Sequence, residues 1–259
     1  MRAAIIGGTG FDRLTGFELT LEEVTTPYGT VPLYLGEGEA EGLVFLPRHG
    51  PEHTVPPHRI NYRANLKALE ILEVERVLAT FAVGSLHLDV EPGSLVVLDQ
   101  FLDFTRGREG TFFDGGDTGL VHTLVTVPYC PALRALLLAR ASAHDLELIP
   151  QGTYACTEGP RFETSAEVRM LAQLGGDVVG MTGVPEAPLA RELGLHYAAV
   201  ALSINWGAGL VDEEVHIVRG LEAKKKALIA LFVDVLRREL RGKCSCETSQ
   251  LVVHPPVNA

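Results

Sequence analysis

YAAVALSIN, residues 197–205, is the stretch of sequence that decides the fold class. It is apolar almost from end to end, as expected for a β-strand buried on both faces in a sheet covered by helices. The run ends on Asn205, whose amide carries donors and an acceptor that need partners when buried. The sequence therefore predicts a central strand here, with Asn205 at its carboxyl end acting either on a ligand or in a structural turn.

Further strands and helices alternate on both sides of this stretch, since short apolar runs predict strands and apolar residues at helical spacing predict helices. That alternation favours one α/β domain with a largely parallel or mixed sheet between helices. Periodicity is lost near the end, so residues 242–259 are expected to form an irregular C-terminal tail that a neighbouring subunit could cover. The other predicted strands are Ala3–Ile6, Leu43–Leu46, Val77–Phe81, Leu95–Leu98 and Asp177–Met181, and the predicted helices are Asn61–Leu72, Pro131–His144, Glu163–Leu174, Pro185–Leu193 and Leu221–Leu240.

Composition and charge argue against several classes of protein. The 259 residues are 46% hydrophobic and 21% charged, which is ordinary globular composition. The net charge is −11 and no basic stripe is visible, so nucleic acid is a poor candidate partner. No run of about 18 apolar residues is present, so we expect no membrane partner. The N-terminal residues lack the long apolar stretch of a secretory signal, and we therefore expect a cytoplasmic protein.

The chain contains four cysteines. Cys130 and Cys156 lie in apolar or turn contexts and are expected to be inert core thiols. Cys244 and Cys246 form a Cys-x-Cys pair in the polar tail, either as two exposed free thiols or as a strained disulfide. Two thiols alone are too few for a structural zinc site, so no metal is expected.

Candidate anion-binding residues follow several predicted strands, where ligands collect in open α/β sheets. GGTG, residues 7–10, allows close backbone approach to an anion and adds the hydroxyl of Thr9, although a bare tight turn is the alternative. Arg48 and His49 follow the next strand, and Arg is a forked cationic donor suited to phosphate. A surface Arg–His pair is the alternative there. Thr182, after the strand at Asp177–Met181, offers a further donor.

A Gly-Pro turn precedes Phe162 and Glu163 just before a predicted helix. In the functional interpretation, Phe162 stacks on an aromatic ligand and Glu163 accepts from a ring N–H. In the structural interpretation, Glu163 is a solvated residue that offsets the helix dipole.

Taken together and in order, these stretches resemble the methylthioadenosine phosphorylases and trimeric purine nucleoside phosphorylases. The resemblance implies one α/β domain over residues 1–241, with a central mixed sheet, a distorted barrel and flanking helices. It also implies a homotrimer or hexamer that uses a nucleoside and inorganic phosphate as substrates, with no cofactor and no metal. The matching segments are IIGGTG, RHG with His53 nearby, INYRAN, AVGSL, DQFLDFT, TEGPRFET, GMTGVPEAPLA and ALSIN.

The resemblance further implies a role for particular residues, of which Arg48, His49 and Asn205 would be catalytic. The segment containing His216, Val218 and Leu221 would contact the 5′ group of the ribose, and one polar and two apolar side chains do not decide between hydroxyl and methylthio. The implied phosphate site is Thr9, Arg48, His49, the Ala82 backbone and Thr182, and the implied substrate site is Phe162, Glu163, Met181, Asn205, Gly207 and Val218.

The chain departs from methylthioadenosine phosphorylases where the base would bind. Those proteins carry Asp where this chain has Asn205, a second Asp at Gly207 and a small residue at Glu163. An Asn amide can donate to O6 and accept from a protonated N7, and a carboxylate can accept from N1–H of a 6-oxopurine. The expected activity is therefore phosphate-dependent cleavage of inosine, guanosine or 5′-methylthioinosine. The alternatives are a methylthioadenosine phosphorylase acting on 6-aminopurines and a noncatalytic nucleoside-binding domain.

Overall fold

Twelve β-strands and five α-helices are formed by the described residues, 2–11, 14, 16–211 and 214–254, of the computed structural model. The strands are β1 (Arg2–Gly7), β2 (Leu19–Thr26), β3 (Gly29–Gly36), β4 (Leu43–Pro47), β5 (Val74–Ser85), β6 (Leu95–Val97), β7 (Gln100–Phe104), β8 (Leu120–Thr123), β9 (Thr153–Thr157), β10 (Val178–Gly180), β11 (His196–Trp206) and β12 (Gln250–His254). The helices are α1 (Tyr62–Ile71), α2 (Pro131–Arg140), α3 (Ser165–Gln173), α4 (Glu186–Glu192) and α5 (Glu222–Leu236).

Ten of these strands form one mixed sheet that branches at β5. On one side β5 pairs in parallel with β11 from Arg76 to Ser85. On the other side its first half pairs in parallel with β1, while Gly84 and Ser85 pair with β10. The carboxyl ends of β1, β4, β5 and β11 therefore meet at one edge, and the turn after β10 approaches the same place. The predicted α/β fold with a central mixed sheet is confirmed.

Both faces of the sheet are buried, which explains the continuous apolar character of β11. Alternate residues point to opposite faces of a strand, and Ala198 and Val200 pack with α2 and α5 while Tyr197 and Ala199 pack on the opposite face with α1 and α4. Helices thus cover the sheet on two sides, as the sequence pattern predicts.

The helices and the inner strands follow the sequence pattern, whereas the hairpin of β2 and β3 and the strands β7, β8 and β9 were not predicted. Glutamate and threonine residues interrupt the apolar residues of β2, and Pro32 interrupts those of β3, so neither strand has a long apolar run. Two helices are shorter than predicted. The α-helical part of Pro131–His144 ends at Arg140 and continues as a 3₁₀ turn, and Leu221–Leu240 is helical only to Leu236.

The C-terminal tail is not irregular throughout, so that prediction is wrong for Gln250–His254. These residues form β12, which pairs antiparallel with β8 in a small second sheet. Ser249, just before this strand, is buried and donates to the carbonyl of Arg191 at 2.7 Å. The tail therefore packs on its own chain. The three apolar residues Leu251, Val252 and Val253 are the sequence signal for this strand, although the run is short. Residues 255–259 of the predicted tail lie outside the described residues.

None of the helices within the described ranges has the length and apolar character needed to cross a membrane.

Candidate active site

A cavity of about 190 Å³ lies at the carboxyl ends of β1, β4, β5 and β11. The structure brings together there most of the residues predicted from the sequence, and it leaves Gly207 and Val218 outside the lining. The predicted site residues that line the cavity are Thr9, Arg48, His49, Ala82, Phe162, Glu163, Met181, Thr182 and Asn205.

The glycine turn after β1 lies directly beside Arg48. Gly7 and Pro47 are register partners in the parallel pair of β1 and β4, so the residues that follow them emerge side by side. A Cβ atom on Gly8 would lie 2.5 Å from Nη1 of Arg48, closer than any real contact. Gly8 is therefore required by the approach of the guanidinium, and Thr9 stands exposed on the same turn.

Arg48 is buried and forms a two-pronged ion pair with Glu186, at the start of α4. Nε lies 2.6 Å from Oε2 and Nη2 lies 2.8 Å from Oε1, while Nη1 donates to the Thr80 carbonyl at 3.0 Å. Burial alone would lower the pKa of Arg48, but the charge and hydrogen bonds of Glu186 raise it above its ordinary value. The guanidinium is thus permanently charged, and its orientation is fixed before any anion binds.

Glu186 lies within the segment GMTGVPEAPLA, but no role for it was predicted from the sequence. A glutamate in the first turn of a helix is common because it offsets the helix dipole, so its position alone was not informative. In the structure it is fully buried, and the hydroxyl of Tyr197 donates to Oε1 at 2.7 Å. Glu186 is therefore a positioning residue for Arg48.

The Tyr197 hydroxyl provides a direct test of this arrangement. Burial raises the pKa of Tyr197 well above its ordinary value, so the phenol keeps its proton for Glu186. Tyr197→Phe should lower the free energy of unfolding by about 1.5–3 kcal/mol, because a hydrogen bond to a charged group is lost. It should also raise the KM for phosphate. Thermal unfolding and phosphate titration measure the two effects.

Tyr129 supplies the matched control for that variant. It is a buried tyrosine stacked on Tyr197 at 6.0 Å, and its hydroxyl has no hydrogen-bond partner within the described part of the chain. Tyr129→Phe should therefore leave both the stability and the KM for phosphate nearly unchanged. Equal effects of the two substitutions would argue against a special role of the Tyr197–Glu186 bond.

His49 and Thr182 line the cavity together with Arg48. Nδ1 of His49 lies 2.8 Å from the Val55 carbonyl, which can only accept, so this ring nitrogen carries a proton. The backbone N–H of Thr182 donates to the buried hydroxyl of Tyr154 at 3.1 Å. Both residues are thus held by contacts behind them, as a preorganised anion site requires.

Asn205 lines the cavity where a register shift interrupts the pairing of β11 with β5, opposite Gly84. Its Nδ2 donates to the Trp206 carbonyl at 2.8 Å, and its side chain is buried. One amide proton is used in this way, and the second proton and the carboxamide oxygen have no hydrogen-bond partner among the described residues, so both can contact a ligand.

Glu163 lies just before α3 and faces the same cavity. The Thr157 hydroxyl donates to its Oε1 at 2.6 Å. Capping of α3 is performed by Thr164 and Glu167, which form reciprocal hydrogen bonds between side chain and backbone. The structural interpretation of Glu163 as a solvated dipole partner is therefore not supported, because Glu167 has that role.

Arg108 is a further residue that was not predicted from the sequence. Its side chain is almost fully buried, and its guanidinium donates to the carbonyls of Glu158 and Met181, each at 2.9 Å. It also donates to the carbonyl of Val184. Arg108 thus ties together the two turns that carry Phe162 and Thr182. It lies in a segment without periodicity, where nothing in the sequence distinguishes it from a surface arginine.

Gly207 is close to the cavity but does not line it. Its N–H donates to the Ser85 carbonyl at 2.8 Å, and a Cβ at this position would lie 2.7 Å from the same oxygen. An aspartate at this position would require the backbone to shift.

The segment predicted to contact the 5′ group reaches the cavity through one residue. The backbone N–H of Val218 donates to the carbonyl of Ile204 at 2.7 Å, which attaches the segment to β11. The side chain that lines the cavity is that of Ile217, and His216, Val218 and Leu221 are not among the lining residues.

A comparison of the sequence with models of protein families gives one match over most of the chain. Residues 2–237 match the family model described as the phosphorylase superfamily. The chain belongs to this superfamily. The predicted family and enzyme class are therefore confirmed.

The similarity to individual relatives covers nearly the whole chain. A probable 6-oxopurine nucleoside phosphorylase of Moorella thermoacetica is 48% identical, covering 98% of this chain and all of its own length. A probable S-methyl-5′-thioinosine phosphorylase of Methanopyrus kandleri is 44% identical, over 93% of this chain and 95% of its own. Among solved structures, a double mutant of adenosine/methylthioadenosine phosphorylase from Schistosoma mansoni with adenine superimposes with a TM-score of 0.84 at 34% identity, covering 92% of this chain and 93% of that one.

Proposed function

We propose that this phosphorylase cleaves 6-oxopurine nucleosides with inorganic phosphate, releasing the free base and ribose 1-phosphate or its 5-methylthio analogue. One observation carries the proposal. Asn205 and Glu163 line one cavity together with Arg48, His49 and Thr182, so groups suited to a purine base and groups suited to an anion share one cavity. The relatives named as 6-oxopurine and methylthioinosine phosphorylases support this assignment.

The reaction breaks the bond between the purine and C1′ of the ribose. The electron pair of that bond leaves with the purine, and an oxygen of phosphate forms the new bond to C1′. Arg48, His49 and Thr182 would position phosphate against the positive charge that develops on the ribose. The negative charge that develops at N7 and O6 would be stabilised by Asn205, a fixed dipole in a buried position. The chemistry needs only positioned donors and acceptors, so we propose phosphate as co-substrate and no cofactor.

Base selectivity would follow from the pairing of Asn205 with Glu163. The free amide proton of Asn205 can donate to O6, and its oxygen can accept from N7–H. Glu163, already oriented by Thr157, can accept from N1–H of a 6-oxopurine. A 6-aminopurine presents a bare acceptor at N1, so Glu163 would be mispaired. Its donor at C6 would face the amide protons of Asn205 in the orientation that the bond from Nδ2 to the Trp206 carbonyl holds. Mispaired polar groups in a binding site discriminate strongly between such substrates.

The 5′-methylthio substrate is favoured by one observation. Among residues 214–221, the side chain on the cavity is that of Ile217, which is apolar. An apolar contact suits a methylthio group, whereas a hydroxyl needs a hydrogen-bond partner. The kcat/KM of methylthioinosine should accordingly exceed that of inosine.

We also propose that the protein is cytoplasmic and assembles as a homotrimer or hexamer. Phe104, Met170 and Leu174 are exposed large apolar side chains. Phe104 and Met170 line an open depression that also includes Glu163. Exposed apolar surface of this kind commonly marks an interface between subunits. Sedimentation velocity distinguishes a monomer from the proposed assemblies.

Phosphate dependence is the experiment that tests the proposed function. Purified enzyme with inosine or methylthioinosine should release hypoxanthine only when phosphate is present, together with an equal amount of the sugar 1-phosphate. Base release at the same rate in phosphate-free buffer would indicate a hydrolase. No base release from any purine nucleoside would favour the noncatalytic binding domain instead.

A further inference from the structure

A cluster of three cysteines and one histidine lies away from the cavity. Cys130, His196, Cys244 and Cys246 each offer one ligand atom, and these atoms all lie within 4.8 Å of one another. Cys130 and Cys246 are fully buried and the other two are half-buried. None of the four lines the proposed active site. The prediction of exposed thiols in the tail is thus wrong for Cys246, and all four cysteines of the chain are free thiols in the structure.

Three separate parts of the chain converge at this cluster. Cys130 is the residue before α2, and its backbone N–H donates to the Tyr197 carbonyl at 2.7 Å. His196 begins β11, one residue before that carbonyl. Cys244 and Cys246 come from the tail, which crosses the start of β11 so closely that a Cβ on Gly194 would lie 3.6 Å from Cα of Glu247. The cluster therefore joins a helix, the central strand and the tail.

The histidine is oriented as a metal ligand would be. Its Nδ1 faces the sulfurs, 3.5 Å from Cys130 and 3.3 Å from Cys244. Its Nε2 lies 3.4 Å from a carboxylate oxygen of Glu247. A metal-bound imidazole characteristically donates its second N–H to a carboxylate or carbonyl, which fixes the tautomer and the plane of the ring.

The spacing of the four atoms matches the edges of a tetrahedron around zinc. Zn–S bonds of about 2.3 Å and Zn–N bonds of about 2.0–2.1 Å place neighbouring ligand atoms roughly 3.5–3.8 Å apart. The two measured N···S distances, 3.5 and 3.3 Å, lie close to that separation. The upper limit of 4.8 Å on all the pairs leaves only small adjustments of the side chains.

We propose that Cys130, His196, Cys244 and Cys246 bind one Zn²⁺ in a structural site. Three thiolates and one imidazole form a typical closed zinc site, and a soft, sulfur-rich tetrahedral set favours zinc over magnesium or calcium. On binding, the three thiols release their protons to solvent and His196 coordinates as the neutral ring. With all four positions supplied by the protein, the metal takes no part in the reaction.

A buried arginine next to the cluster is an independent indication that the cluster carries negative charge, as a zinc–thiolate group would. Three thiolates and one Zn²⁺ carry a net charge of −1. Arg191 is buried, and its Nη2 donates to the carbonyl of Ser245 at 3.1 Å, between the two tail ligands. Its Nε and Nη1 have no hydrogen-bond partner within the described ranges. A buried cation with unused donors is costly unless negative charge lies nearby, and the zinc–thiolate group would supply that charge.

The function of the site would be to fasten the tail. Cys244 and Cys246 lie between α5 and β12, and the bond from Ser249 to Arg191 continues the attachment toward the β8–β12 sheet. The metal would cross-link residues that are far apart in sequence, as structural zinc sites do.

Metal content and cobalt spectra test the proposal on the intact protein. The enzyme, expressed with zinc and purified with a reducing agent, should contain about one zinc per chain by mass spectrometry of the metal. Co²⁺ added to the reduced apoprotein should give the intense visible bands of a tetrahedral ion and the near-ultraviolet bands of thiolate-to-cobalt charge transfer. Zinc removal with a chelator should lower the melting temperature.

Cys246→Ser should reduce the zinc content at least tenfold and abolish the lowering of Tm by chelator. Cys156→Ala is the matched control, because Cys156 is a buried thiol outside the cluster, and it should retain full zinc content. Turnover of folded Cys246→Ser should equal that of the wild type.

Two results would overturn the proposal. One is reduced wild-type protein that takes up neither Zn²⁺ nor Co²⁺. The other is protein from a reducing cytoplasm in which mass mapping finds Cys246 in a disulfide, with Cys130 or with Cys244. Both are measured on the wild type, so they decide the matter even where a variant fails to fold.

Discussion

Arg48→Ala should lower the kcat/KM for phosphate by about 10²–10⁴, the equivalent of two charge-assisted hydrogen bonds at about 1.5–3 kcal/mol each. Binding of the nucleoside should change much less, because Arg48 contacts Thr80 whereas Asn205 pairs with Gly84, four residues further along β5. Steady-state kinetics separates the effect on phosphate from the effect on nucleoside. Phosphate is varied at saturating nucleoside in one series, and nucleoside is varied at saturating phosphate in the other.

The substitution also leaves Glu186 buried without its partner. Removing one member of a buried ion pair typically costs about 3–5 kcal/mol of stability. The double variant Arg48→Ala/Glu186→Gln removes the unpaired charge, so it should recover much of the stability while the phosphate defect remains. If the double variant also recovers normal use of phosphate, the defect came from misfolding and Arg48 does not bind phosphate.

Arg241→Ala is the control for the single and double variants of Arg48. The Arg241 side chain is 84% exposed just before the tail, and Glu239 is its only hydrogen-bonding partner among the described residues. Such surface ion pairs contribute little, so stability and kinetics should match those of the wild type.

Asn205→Asp should shift the preference from 6-oxopurine toward 6-aminopurine nucleosides. The new carboxylate would repel O6 and could no longer donate to it, whereas it could accept from the 6-amino group. Each mismatch costs about 1–3 kcal/mol when buried, so the ratio of kcat/KM for inosine over adenosine should fall by about tenfold to hundredfold. Replacing Glu163 as well should deepen the shift.

The ratio is the appropriate measurement because it does not depend on the fraction of folded enzyme. That matters here, since the substitution also places a carboxylate against the Trp206 carbonyl and should lower stability. Asn65→Asp, the same chemical change on α1 outside the cavity, should leave the ratio unchanged. An unchanged ratio in Asn205→Asp would remove Asn205 from base recognition.

Much of the fold could be predicted from local pattern. The continuous apolar run of β11 identified a strand buried on both faces, and the helices on both sides of it followed from their spacing. The edge hairpin of β2 and β3 could not be found in this way, because glutamate and threonine residues interrupt the apolar residues of β2 and Pro32 interrupts those of β3. The tail strand β12 has an apolar run, but that run is only three residues long, Leu251, Val252 and Val253.

The candidate site could be predicted where residues follow strand ends, because parallel strands bring their carboxyl ends to one edge. Thr9, Arg48 and Asn205 were found on that basis. Residues that position the site residues without lining the cavity could not be predicted. Glu186 and Arg108 are charged residues whose burial depends on tertiary packing, which no spacing in the sequence reveals.

The cluster of three cysteines and one histidine could not be predicted either, because it depends on contacts between segments that are distant in sequence. Cys130 and His196 are 66 residues apart, and the two tail thiols lie a further 48 or more along the chain. Two thiols in Cys-x-Cys spacing are too few for a metal site, and only the fold supplies the other two ligands.

Phosphorolysis of 6-oxopurine nucleosides is tested most directly by a substrate panel with the wild-type protein and phosphate. The panel compares kcat/KM for inosine, guanosine and methylthioinosine with that for adenosine and methylthioadenosine. We expect a preference of about a hundredfold or more for the 6-oxopurine set. Two mismatches of about 1.4 kcal/mol each would give that ratio, because about 1.4 kcal/mol corresponds to a factor of ten. Cleavage of methylthioadenosine as efficient as that of the inosine compounds would contradict the assignment.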